Sequence, residues 1–257
     1  MKPSLRRFLT LIVGGTIFCV GASARADWNI NDPYKWLQLP DLSTSGKDVK
    51  DMATITLADD WRCTSIDPIT DVHIWGSWLG DIKPPDMGVV QFRLGIWSDV
   101  PATGTAASHP GIELWHTVTT PTAYQIWSAA TTEEFIAPNG TILGSDTEVW
   151  QYNFFNLKDE NNVTFVQQGT AANPVVYWLS VQVVSTTAGT FGWKTSTTNN
   201  IDDAAYRLDD QSPWIDLHDL QTTKSLDLAF VITTPEPTSV ALLGLGALML
   251  CRRGRKS

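Results

Sequence analysis

The chain has 257 residues, a formal net charge of −9 and 43% hydrophobic residues, enough to fill the core of one large domain or two small ones. Its acidic balance argues against a nucleic-acid partner, because phosphate binding needs clustered Lys and Arg. The 12 Trp argue against a disordered chain, and the 3 Cys against a disulfide-rich scaffold.

Residues 1–26 read as a cleaved secretory signal. Lys2, Arg6 and Arg7 form a positive start, Phe8 to Val20 an apolar run, and Ala24 and Ala26 the small-x-small pattern of a cleavage site. That run rises only about 20 Å as a helix, short of the ~30 Å hydrocarbon core, which favours a removed signal over a permanent span. The expected mature chain starts at Asp27.

From Asp27 to about Thr56 the pattern is weakly periodic and suggests a wrap of strand and loop. Strand alternation then runs through most of the body. Trp61 and Cys63 share one face of a predicted strand. Val72, Ile74, Gly76 and Trp78 alternate with His73, Trp75 and Ser77, and Val90, Phe92, Leu94 and Ile96 with Gln91, Arg93, Gly95 and Trp97. Further strands are predicted over 122–128, 148–156, 175–183, 190–196 and 226–232. Apolar residues at every second position, rich in Val, Ile, Thr and aromatics, are what half-buried antiparallel strands require. Turn residues separate them at Lys83-Pro84-Pro85-Asp86, Asp99-Val100-Pro101, Pro138-Asn139-Gly140 and Asn173-Pro174. No window carries a long helical stripe. The expected fold is all-β: one antiparallel β-sandwich, jelly-roll-like, over residues 27–234.

The C-terminal residues 235–257 have three parts: Pro235-Glu236-Pro237, an apolar helix-length stretch from Val240 to Cys251, and a basic end with Arg252, Arg253, Arg255 and Lys256. The order resembles a PEP-CTERM sorting signal. That resemblance implies recognition and cutting by an exosortase, transient membrane anchorage through the apolar helix, and export to the surface or extracellular matrix of a bacterium that makes polysaccharide. Cations behind an apolar segment stay cytoplasmic, which places the body on the far side of the membrane.

The body also resembles an uncharacterised all-β domain of exported, planctomycete-type proteins. The similarity is carried by Leu57-Ala58-Asp59-Asp60-Trp61 with Cys63, by residues 69–78, and by Ile96-Trp97-Ser98-Asp99-Val100-Pro101. It continues through Trp150-Gln151-Tyr152-Asn153-Phe154, Tyr177-Trp178-Leu179, residues 191–196, Asp202-Asp203-Ala204 and residues 226–230. The resemblance transfers no catalytic residue.

Removing both ends leaves Cys63 as the one Cys, so the mature domain has no intrachain disulfide, and Cys63 is expected to be a small buried hydrophobe. Trp75 and Trp97 share strand faces with polar residues, so they, with Trp193, are the candidates for a carbohydrate-stacking platform. The competing expectation is that these Trp fill the core. Adjacent acids make Asp59, Asp60, Asp202 and Asp203 the candidates for a structural calcium ion, although no calcium-loop spacing is present. His73, His109, His116 and His218 follow no metal spacing, and no nucleophile elbow or phosphate loop occurs.

These features point to an exported surface or matrix protein with a non-catalytic structural or interaction role and no cofactor beyond that calcium. The alternatives are a carbohydrate-binding module using surface Trp and a polysaccharide hydrolase or lyase. The segment Asp27–Pro237 keeps 10 basic and all 27 acidic residues, a net −17 that the basic ends conceal. Such a domain repels anionic polymer unless cations bridge the two.

Overall fold

The computed structural model describes residues 27–233, apart from 53, 105 and 199. The signal segment with Ala24 and Ala26, and the tail with Pro235, Glu236, Pro237, Arg252 and Arg253, lie outside the described residues.

Two sheets face each other as a β-sandwich. The first contains β1 (Tyr34–Gln38), β2 (Lys47–Lys50), β4 (Val72–Trp78), β7 (Ala123–Ile136), β8 (Ile142–Phe154), β10 (Phe191–Lys194) and β13 (Phe230–Thr233). The second contains β3 (Thr56–Cys63), β5 (Gln91–Val100), β6 (His109–Thr119), β9 (Val175–Ser185), β11 (Ala205–Arg207) and β12 (Ile215–Asp216), in the order β12-β11-β3-β9-β5-β6. Pairing is antiparallel except between β2 and β7.

The predicted alternation is what builds the core. Ile74 and Trp78 of β4, Trp61 of β3, Phe92 and Leu94 of β5, Leu179 and Val181 of β9, and Phe191 and Trp193 of β10 all point between the sheets. Fully burying a large apolar side chain stabilises by about 1.5–3 kcal/mol, so a core of this kind can hold the sandwich together without a cross-link. Cys63 is a buried free thiol: it donates to Ser65 O at 3.0 Å and accepts from Gln167 Nε2 at 2.9 Å.

Part of each outward face is also covered. Trp28, from the segment before β1, packs edge-on against Trp75 with ring centroids 5.8 Å apart, and Trp127 of β7 closes on Trp75 at 5.3 Å. On the second sheet Trp214 packs edge-on against Trp97 at 5.7 Å. The domain thus has a central core and an aromatic cluster on each outer face.

The first sheet carries a further feature. The β7–β8 hairpin turns at Pro138-Asn139-Gly140, where Gly140 takes φ +80° and an added Cβ would lie 2.3 Å from Leu220 Cγ. Bulges bend β7 so that its start pairs with the end of β8, while its last residues run parallel to β2. The end of β8 also pairs with β4. Pairing therefore runs in a closed circuit, β4-β10-β2-β7-β8 and back to β4.

β6 is the long strand that the sequence pattern conceals. Pro110 and Gly111 open it, and its outward residues Ile112, Leu114 and Val118 are apolar and exposed, which erases the in/out contrast. At the other end of the chain, β13 is shorter than the predicted 226–232, because Leu228 pairs with Thr195 only as an isolated bridge.

Candidate functional site

Trp75, Trp97 and Trp193 do not form a platform. Trp75 and Trp193 are 0% exposed and Trp97 is 7% exposed. Alternation placed Trp75 and Trp97 on outward faces correctly, but those faces are roofed by Trp28, Trp127 and Trp214. Trp193 is a core residue on β10 and donates its indole N–H to Ala229 O at 2.8 Å. All 12 Trp are buried or half-buried, and the half-buried four are Trp36, Trp127, Trp150 and Trp214.

The paired acids separate as strand geometry requires, since neighbouring residues point to opposite faces. Asp59 turns inward and acts as a clasp. Its carboxylate accepts from Gln38 Nε2 at 3.0 Å, Leu228 N at 2.5 Å and Asp60 N at 2.7 Å, tying β1 and the segment before β13 to β3. It is not part of an open cation site.

Asp60 points the other way, onto the outer face of the second sheet. It is 0% exposed and neither carboxylate oxygen has a hydrogen-bond partner. Burial, reinforced by Asp227, Asp202 and Asp99, pushes its pKa up to about 8. Asp227 is raised to about 7, first by burial and then by Asp203 and Asp202, against a hydrogen bond from Asn200 N. Asp202 is also desolvated, yet Ser108 donates both its N–H (3.0 Å) and its hydroxyl (2.8 Å) and holds it below the usual carboxylate range. Asp203 joins Asp216 and His218, with one ligand-type atom from each lying within 4.8 Å of the others. His218 Nδ1 is 3.3 Å from Asp203 Oδ2.

Three of the four predicted acids, Asp60, Asp202 and Asp203, therefore meet at one end of the second sheet, together with Asp99, Asp216, His218 and Asp227. Asp216 is not legible in the sequence because β12 is two residues long, and His218 follows no metal spacing there. The signal was the spacing Asp216-Leu217-His218, in which Leu217 is fully buried and its neighbours face outward together. Beside this acidic end, Arg207 lies 4.9 Å from the Trp97 ring centroid and 5.0 Å from that of Trp214, and pairs with Asp210 at 2.5 Å. The arrangement gathers carboxylates around the solvent-reaching Asp203, Asp216 and His218, which can attract cations, whereas Asp60 and Asp227 are buried.

His73 is held away from this chemistry. It is buried on β4 with Nδ1 2.6 Å from Asn153 Oδ1, and desolvation lowers its pKa to about 4, leaving the ring neutral.

Residues 34–233 match a family described as Domain of unknown function (DUF7901). The chain belongs to that family. Residues 233–256 match the PEP-CTERM protein-sorting motif, which contains Pro235, Glu236, Pro237, Arg252 and Arg253. The DUF7901 domain is thus carried by an exosortase-sorted protein that is exported and anchored at the bacterial cell surface. No curated protein and no solved structure matches the chain.

Proposed function

We propose that the DUF7901 domain is a non-catalytic interaction module of the bacterial surface matrix, and that the acidic end of its second sheet engages anionic polysaccharide through bridging cations. The observation that carries this reading is the group of Asp203, Asp216 and His218, side chains that reach the surface with ligand-type atoms within 4.8 Å of one another, next to Asp202 and the buried Asp60 and Asp227. Packing like charges together works against folding, so the arrangement makes sense as a binding device rather than a stabilising one. A surface-sorted protein faces the extracellular side, which supports a matrix polymer as the partner, and a strongly acidic domain needs a cation between itself and an anionic polymer.

A carbohydrate module stacking sugars on Trp75, Trp97 or Trp193 finds no support in their burial. A hydrolase or lyase on the same scaffold would need two open carboxylates across a cleft. The test is retention of the exported protein on insoluble alginate in millimolar calcium. Binding is expected, with loss in chelator and in the Asp203→Asn/Asp216→Asn variant. No retention on alginate or on other acidic polysaccharides overturns the reading, and release of shortened oligosaccharides replaces it with the enzyme.

A further inference from the structure

A second polar cluster lies in the first sheet, away from the acidic end just described. Each strand of the closed pairing circuit contributes one side chain: Ser77 from β4, Lys194 from β10, Asp48 from β2, Glu133 from β7 and Asp146 from β8. Register places Lys194 directly opposite Asp48, and Glu133 directly opposite Asp146. All five are buried, none more than 2% exposed.

Lys194 satisfies only part of this cluster. Its ammonium pairs with Asp48 Oδ2 at 3.1 Å and with Glu133 Oε2. Asp48 Oδ1, Glu133 Oε1 and both oxygens of Asp146 are left without a hydrogen-bond partner. Ser77 Oγ, which is not acidic, is likewise buried and makes no regular hydrogen bond, though it interacts with Asp48. Buried oxygens without partners are rare and costly, and here they gather in one place. Asp48, Glu133 and Asp146 each offer an oxygen within 4.8 Å of the others.

We propose that Asp48, Glu133 and Asp146, with Ser77, form a buried calcium site. Three carboxylates and one ammonium sum to −2, which one divalent ion neutralises. The unpartnered atoms are all oxygens, the donors of a hard cation, and calcium accepts the irregular, multi-oxygen geometry that four separate strands present. Magnesium sheds its water reluctantly and suits so enclosed a site less well. Lys194 occupies one oxygen each of Asp48 and Glu133 and leaves the other oxygen of each free for the ion. The ion would pin the bent β7–β8 hairpin to β2, β4 and β10, a task that a disulfide performs in many exported domains.

The experiment is elemental analysis of the purified exported protein, followed by thermal melts in chelator and in calcium chloride. About one calcium per chain is expected. At a calcium concentration about 100 times the dissociation constant, the melting temperature should rise by roughly 5 °C or more. Asp146→Asn keeps the side-chain shape and should abolish that rise, and Ser77→Ala should reduce it. Asp203→Asn/Asp216→Asn, which tests the polysaccharide face, should retain it, so the two proposals fail separately. Absence of bound calcium with identical melts in chelator and calcium overturns the site, as does a full calcium response in Asp146→Asn.

Discussion

Asp59 and Asp60 show how adjacent identical residues acquire different tasks. Asp59 is spent on three hydrogen bonds inside the sandwich, whereas Asp60 faces outward into other carboxylates. The difference is the strand's two-residue period. The raised pKa values, near 8 for Asp60 and Asp146 and near 7 for Asp227, fix the sign of a pH effect. In the folded protein these groups hold protons that the unfolded chain releases at ordinary carboxylate values. Their contribution is therefore fully present in acid and lost as pH rises through the folded values. His73, near 4 when folded and 6.5 as a free side chain, acts with the opposite sign but is neutral in both states above that range. In chelator, the melting temperature is expected to fall between about pH 6.5 and about pH 9, and Asp60→Asn to flatten that fall. Scanning calorimetry across this range checks it, and a melting temperature that climbs with pH would contradict the assignment. Lys194 shows the converse balance. Burial alone would lower its pKa, but Asp48 and Glu133 reverse the effect and keep the ammonium charged.

At the scale of elements, β4 was legible because its core face is apolar, and it pairs with β8, β10 and β13. Gly76 sits where β4 crosses β10, and a Cβ there would lie 2.4 Å from Gly192 O and 2.4 Å from Phe191 Cζ. Gly76→Ala is expected to cost about 1–3 kcal/mol, read as a lower urea midpoint with an unchanged slope. A neutral result would mean that the β4–β10 contact is looser than its pairing implies. β6 was not legible, because alternation is recognisable only when the outward residues are polar. β11 and β12 were missed for a simpler reason: strands of three and two residues carry no period. The acidic end depends on both, which is why its members could be proposed in part but not assembled.

At the scale of the molecule, the sorting tail and the domain are adjacent units, matched over 233–256 and 34–233. Replacing Pro235, Glu236 and Pro237 together by Ala is expected to leave the domain folded and the uncut chain in the membrane fraction. Immunoblotting of membrane and released fractions checks this, and normal release would show that those three residues are dispensable for cutting.

The sequence by itself determined the destination and the class of fold. Sorting segments are read by other proteins as linear patterns, and sandwich strands announce themselves through a period of two. Only the tertiary structure decided which faces reach solvent. Trp75 and Trp97 face outward on their own strands, yet rings far away in the chain cover them. It also decided which acids meet. Asp48, Glu133 and Asp146 are scattered through 99 positions of sequence, and only the pairing of β2, β7, β8 and β10 brings them together around Lys194. Local spacing encodes which way a side chain points from its strand. What it meets there depends on strand pairing over long separations.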